Sequence, residues 1–340
     1  MDTEKLLEWF YRNRRDLSFR RTTDPYHIWV SETMLQQTQV DTVLPFFERF
    51  IDRYPDIETL ARSSLESILK TVEGIGYYRR FRHLHQAAKV ILKEHNGTFP
   101  RTYEAILALP GVGAYTAGAI MSIAYNEPYS AVDGNVIRVF ARYYGIDEDM
   151  RSAKNRRIID NKNQEIIERT VPRDYTQALM DLGATVCKPK NPLCPSCPLN
   201  AFCQAYLNDA VHHYPYLSPL NRKRDISFIT LVIKKGDAYC LRKRTEELLH
   251  NMYEWPQFEA ESIRTVIADL EEKKIEVELE RKLGDYRHIF SHQIWHMQAY
   301  LVSVRRGFDP NWVLVAADEL KEKPMAIAHR KILIDRISGE

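Results

Sequence analysis

Apolar residues recur at helical spacing through the first two-thirds of the chain. Leu6, Leu7, Phe10 and Tyr11 predict a helix over 3–14. After Pro25 a long helical stretch is expected over 26–53, carried by residues such as Ile28, Met34, Val43 and Phe50. Its first half is apolar on several faces, which predicts burial. Pro45 is where that stretch should kink or divide. Further helices are expected near 56–61, 64–72, 78–95, 102–108, 114–125, 134–144, 155–169 and 173–185, most of them separated by glycine or proline. The segment HHYPYLSPLNRKRD (212–225) has little periodicity and reads as a linker. Beyond it the period changes. ISFITLVIK (226–234) is β-branched and apolar, KKGDA is a turn and AYCLRKR (238–244) alternates, which predicts a hairpin. A helix at 261–273, an alternating strand IEVELE (275–280), a long strand at 289–304 and a closing helix near 324–337 complete a small α/β domain. The fold class is therefore multidomain, an all-α region followed by a small α/β domain.

Composition adds little to this picture. With 340 residues, 44% of them hydrophobic and 28% charged, the chain reads as an ordinary globular protein of roughly two domains. No apolar run approaches the roughly 18 residues a bilayer span needs. The N-terminal MDTEKLLEWFYRNRRD is charged and amphipathic, without a signal-peptide core. A soluble, intracellular protein is expected. The net charge of +2, from 48 basic and 46 acidic side chains, neither demands nor excludes nucleic acid. Basic residues bunch at Arg151–Arg157, at Lys188 and Lys190, at Arg222–Arg224 and at Arg242–Arg244, and a solvated face accounts for any single run.

The cysteines change the picture. Four of the five lie at Cys187-x6-Cys194-x2-Cys197-x5-Cys203. One tight cluster in an odd total does not look like a secreted disulfide framework. Four thiolates in one loop can hold Zn²⁺ or a 4Fe–4S cluster. A single CxxC flanked by lone cysteines, rather than two CxxC pairs, favours the iron–sulfur cluster. Cys240, on the expected hairpin, is assigned to the core.

Three further features carry candidate chemistry. Leu109-Pro110-Gly111-Val112-Gly113 joins two helices. Glycines there let backbone approach a ligand, and the next helix N-terminus favours an anion. As a plain alternative, the segment is only a turn. Asp133, before the helix that begins at Gly134, is either an N-cap or a carboxylate kept ionised by the dipole and neighbouring N–H groups. Glu32 shares a helical stripe with Ile28 and Leu35, so it should face the interior. Desolvation would raise its pKa toward that of a general acid, unless an arginine pairs with it. Together, Glu32 and Asp133 could divide acid and charge-stabilising roles.

LPGVG before a helix, VDG about twenty residues later and the four-cysteine loop resemble the helix–hairpin–helix DNA glycosylase superfamily with an iron–sulfur cluster. SETMLQQTQV, GIGYY and a C-terminal Phe290-Ser291-His292 narrow the resemblance to MutY-type adenine DNA glycosylases, over about residues 5–335. The resemblance implies a six-helix lobe at about 22–132 and a cluster lobe of 1–21 plus 133–211, together a catalytic region over 1–211. The linker follows at 212–225, then a Nudix-like domain over 226–340. It implies a monomer that removes adenine mispaired with 8-oxoguanine or guanine in double-stranded DNA, by flipping the base. A cytoplasmic setting, nucleoid-associated in a bacterium, goes with that activity. By resemblance Glu32 protonates adenine N7 and Asp133 stabilises the oxocarbenium ion, with Tyr115 and Asn135 flanking them. Arg15, Leu17, Phe19, Gln177 and Asp181 fall in the family's adenine pocket. Gln37, Thr38, Ile75 and Tyr77 match residues near 8-oxoguanine and its intercalation site. Gly111 and Gly113 would hold the DNA backbone, with an alkali cation, and Lys188 and Lys190 would face phosphate.

The four cysteines Cys187, Cys194, Cys197 and Cys203 would hold one 4Fe–4S cluster. Phe290, Ser291 and His292 would read 8-oxoguanine. The C-terminal domain has no Nudix hydrolase motif, which implies reading rather than hydrolysis. His288, His292 and His296 would share a strand face if that strand is regular. The chain departs from the family at Leu17-Ser18-Phe19, where LPW is usual, so Phe19 offers an aromatic face without an indole N–H. Two rival readings differ at named residues. An endonuclease III-like lyase would carry a lysine where this chain has Tyr115. A non-catalytic DNA-binding protein would be expected to lose Glu32 or Asp133, and both are present.

Overall fold

Side-chain caps fix where many of the helices begin. Asp2, Asp24, Ser64, Thr102 and Asp133 each accept a hydrogen bond from an amide of the following first turn. The computed structural model describes residues 1–219 and 222–336. The helices are α1 (Thr3–Asn13), α2 (Pro25–Leu35), α3 (Val40–Arg53), α4 (Ile57–Arg62), α5 (Leu65–Thr71), α6 (Arg79–Glu94), α7 (Tyr103–Leu107), α8 (Ala114–Ile123), α9 (Gly134–Tyr144), α10 (Ala153–Ile167), α11 (Pro172–Asp181) and α12 (Gln204–Leu207). Then come β1 (Arg224–Lys235), β2 (Ala238–Lys243), β3 (Tyr253–Glu254), β4 (Gln257–Glu259), α13 (Ile263–Glu272), β5 (Glu276–Ile289), β6 (Gln293–Arg306), β7 (Trp312–Ala316) and α14 (Ile327–Arg336). Two compact units emerge, Met1–Arg62 with His83–Pro219 and Ser63–Arg82 with Leu220–Glu340. No helix among the described residues is long and apolar enough to cross a membrane.

In the first unit, Leu6 and Phe10 of α1 pack with Val136, Phe140, Tyr175 and Leu179 of α9 and α11. α2 is buried on almost every face, as its sequence predicts, and packs on α3 and α8. Gly118 of α8 is required by close approach, since a Cβ there would lie 2.0 Å from the Ser130 carbonyl oxygen. One expectation is corrected. The stretch over 26–53 is two helices, and the break is not at Pro45, which sits inside α3. It falls at Gln36–Gln39, where Gln37 takes φ 59°. A glutamine in the left-handed region leaves no breaker residue for a sequence pattern to detect.

In the second unit the sheet runs β3-β2-β1-β6-β5, with β4 also pairing β1 and β7 also pairing β2. β1 and β6 are parallel and the other pairs antiparallel. Alternation along β1 sends Ile229, Leu231 and Ile233 to one core, with Val266 and Leu270 of α13. Val232 joins the other core, with Trp255, Trp295 and Leu333. Cys240 is buried core, as expected.

Here too the expected pattern is corrected. The strand expected over 275–280 continues to Ile289, and the one expected from 289 begins at Gln293. β5 is a bulged edge strand with most of its side chains exposed, so alternation could not mark its length. A turn therefore intervenes at 290–292. His288 lies near the end of β5 opposite Trp295, His292 lies in the turn and His296 lies on β6 opposite Arg287, so they do not share one strand face. β3, β4 and β7 were not anticipated; at 2, 3 and 5 residues they carry almost no periodic signal. Residues 220–221 of the linker, and the end of the domain and closing helix from 337, lie outside the described residues.

Candidate active site

Glu32 sits on buried α2 and is 4% exposed. Burial pushes its pKa up to about 7, against the pull of a 2.6 Å hydrogen bond donated by the Tyr115 hydroxyl to Oε2. Asp133 adds to the rise through its charge. Tyr115 comes from the first turn of α8, directly after the Gly111–Gly113 hairpin. Asp133 caps α9: its Oδ1 accepts from the Val136 amide at 2.8 Å and its Oδ2 from Asn135 Nδ2 at 2.7 Å. The sequence left Asp133 as either an N-cap or a carboxylate kept ionised by its donors, and it is the N-cap of α9. The donors do oppose protonation, but burial outweighs them and the net shift is upward. Both carboxylates line one open cleft of about 890 Å³ in the first unit.

Arg15, Leu17, Phe19, Gln37, Thr38, Asn135 and Gln177 line the same cleft. Phe19 is largely covered, edge-on to Phe47 at 5.7 Å. Asp181 is placed differently. It does not line the cleft; its fully buried carboxylate accepts from Arg15 Nε and Arg20 Nη1, each at 2.6 Å. Arg20 and Arg156 line the cleft although neither was singled out as a site residue. Arg20 follows Phe19 directly, and that adjacency is the one sequence signal that could have found it.

Asn135 joins Asp133 to the cysteine loop. Arg138 Nη2 donates to Asn135 Oδ1 and to the Gly183 carbonyl, each at 2.8 Å, and its Nε donates to the Cys187 carbonyl at 2.7 Å. A π-type turn at Leu182–Val186 brings Gly183 so close that a Cβ would lie 2.5 Å from Asn135 Cβ. The four cysteines line a common small cavity with buried Arg142. Arg142 Nη1 donates to Cys187 Sγ at 3.4 Å and to the Lys188 carbonyl at 2.7 Å. Among the described residues no group of three or more His, Cys, Asp or Glu side chains is placed to hold a single metal ion. Four soft thiols around one cavity, with an arginine beside them to offset negative charge, fit an anionic iron–sulfur cluster. Lys188 is half-buried and Lys190 exposed.

Gly111 takes φ 76°, and a Cβ there would lie 2.4 Å from His83 Cβ, whereas Gly113 is an open N-cap. Ile75, Tyr77 and the 290–292 turn belong to the second unit. Ile75 is buried and Tyr77 exposed with φ 50°. Ser291 and His292 are exposed and Phe290 is half-buried.

A family model described as HhH-GPD superfamily base excision DNA repair protein matches residues 30–169, and a NUDIX domain model matches 229–335. The adenine DNA glycosylase of Buchnera aphidicola subsp. Acyrthosiphon pisum is 34% identical over 308 residues, 88% of this chain and 86% of that protein. The chain belongs to the adenine DNA glycosylase family. The Homo sapiens member of the adenine DNA glycosylases is 42% identical over 209 residues, 59% of this chain and 38% of that protein. A solved thermostable thymine-DNA glycosylase aligns with TM-score 0.55 at 29% identity, over 60% of this chain and 94% of that one. Endonuclease III in a non-covalent DNA complex aligns with TM-score 0.51 at 22% identity, over 61% and 94%, and shows that this adenine DNA glycosylase family member shares its fold.

Proposed function

We propose that the protein is a monofunctional DNA glycosylase that hydrolyses the N-glycosidic bond of adenine mispaired with 8-oxoguanine or guanine in double-stranded DNA. The observation that carries this is Glu32, buried, raised to about 7 and sharing a cleft with Asp133. Adenine must leave the stack to reach such a cleft, at a cost of a few kcal/mol. Protonated Glu32 then donates to N7. The bond from C1′ to N9 breaks with its electrons going to the base. Asp133, oriented by Val136 and Asn135, stabilises the oxocarbenium ion until water adds at C1′. Tyr115 supports this role. It carries a phenol where a lyase would carry an amine, and a phenol cannot form a Schiff base with the abasic sugar; its hydroxyl donates to Glu32 instead.

The remaining assignments follow the same reading. One 4Fe–4S cluster is held by Cys187, Cys194, Cys197 and Cys203 and shapes the loop carrying Lys188 and Lys190 against phosphate. The Gly111–Gly113 hairpin holds the DNA backbone, with an alkali cation. Gln37, Thr38, Ile75 and Tyr77 contact DNA around the lesion, and Ser291 and His292 read the oxidised base. The catalytic region spans 1–211, the linker 212–225 and the Nudix-like domain 226–340, in a monomer acting in the cytoplasm. Duplexes carrying adenine opposite 8-oxoguanine, guanine or thymine test the function. Excision is expected opposite the first two, leaving a strand that breaks only in alkali. Strand breakage without alkali, or equal excision opposite thymine, overturns it.

A further inference from the structure

Ser291 and His292 are exposed at the tip of the β5–β6 hairpin, and such a short tip does not fix its own orientation. Its framework does. The Phe290 amide donates to the Gln293 carbonyl at 2.8 Å, the Phe290 carbonyl accepts from Lys223 Nζ at 2.8 Å, and the His292 carbonyl accepts from the Arg224 amide at 3.1 Å. The Phe290 ring turns inward and meets the Trp295 ring at 4.7 Å, centre to centre, and the His288 ring at 4.6 Å. Phe290 is thus a stem beneath the tip.

Trp295, 1% exposed, is the hub of this packing. The Arg244 guanidinium lies 5.3 Å from its ring centre, and Phe228 and His329 meet it edge-on at 5.1 and 6.1 Å. Its buried indole N–H has no hydrogen-bond partner among the described residues, so neighbouring faces alone hold the ring. Arg244 is itself fixed, donating to Glu254 Oε2 at 2.5 Å and to the Leu248 carbonyl at 2.9 Å. Glu254, fully buried, also accepts from Arg242 Nε at 2.7 Å and faces His329 Nε2 at 3.3 Å. A buried ionic group of this kind is weak support for stability, and its planar, forked contacts favour one geometry.

We propose that Trp295 is a positioning residue for recognition of the base opposite adenine. Faced by Arg244, which Glu254 holds in place, it fixes the Phe290 ring and, through it, the direction in which Ser291 and His292 face oxidised guanine. This rests on the reading of Ser291 and His292 given above.

The test uses the full chain and the ratio of single-turnover excision rates for adenine opposite 8-oxoguanine and opposite guanine, at one salt concentration. Trp295→Leu is expected to lower the ratio about tenfold, the scale of one good polar contact to a base edge, with the rate opposite guanine unchanged. Trp295→Phe should keep the ratio, because the indole N–H is unused. Tyr239→Leu opens the same core where Tyr239 meets the Trp255 ring, with no ring contact to Trp295 or Phe290 among the described contacts, and should lower the melting temperature without moving the ratio. If Trp295→Leu does not fold, Arg244→Lys decides: it keeps the charge, loses the planar face and should lower the ratio. An unchanged ratio in the deciding variant overturns the proposal, as does an equal fall with Tyr239→Leu. Replacing Ser291 and His292 together by alanine separates the two claims. If that variant keeps the full ratio, the tip reading itself fails. If it loses the ratio while Trp295→Leu keeps it, only the positioning role fails.

Discussion

A carboxyl group buried on α2, beside the Tyr115 hydroxyl and the Asp133 charge, cannot ionise as readily as one in water. Glu32 therefore titrates near 7, where a proton donor works with the least mismatch to neutral pH. Asp133 must act ionised, yet burial raises its pKa above the ordinary value of 3.8. The signs then set the pH profile. Excision needs Glu32 protonated, so the single-turnover rate should fall about tenfold per pH unit once pH passes about 7. It should also fall on the acid side as Asp133 takes up a proton. A rate that keeps rising above pH 8 would remove Glu32 from the role of acid. The burial of Glu32 was legible from its stripe with Ile28 and Leu35, because a helix repeats its faces. The placement of Asp181 was not, because its partners Arg15 and Arg20 are distant in the chain and only the fold brings them to it.

Elements were legible where period and punctuation agreed. α9 falls at 134–144 as expected, begun by Asp133 and ended by Gly145 at φ 65°. The α2–α3 break was hidden because Gln37 adopts a glycine-like conformation, and the hairpin at 290–292 was hidden because bulges between Glu276 and Gly284 break the period of β5. The π-type turn at Leu182–Val186 has no sequence signature at all, yet it sets Gly183 against Asn135. The cysteine loop was the clearest element, since four soft ligands in one short segment are rarely accidental. As purified, the protein should be brown, with absorbance near 400 nm and about four irons per chain. Cys197→Ser should lose colour and iron and weaken DNA binding. A colourless, fully active preparation holding one zinc contradicts the cluster assignment.

At the scale of the whole molecule, the change from helical to strand period near residue 225 announced a second fold, and the NUDIX domain match at 229–335 agrees. The sequence pattern could not show that Ser63–Arg82 groups with the C-terminal residues, since that depends on contacts distant in the chain. In the proposed reaction one buried glutamate, Glu32, supplies the proton that releases adenine. Single-turnover excision from a duplex with adenine opposite 8-oxoguanine, comparing the native chain with Glu32→Gln, tests it most directly. The amide keeps shape and packing but has no carboxyl proton to give. Excision should fall by about a hundredfold or more, with the affinity for the same duplex little changed. Near-native excision by Glu32→Gln would contradict it.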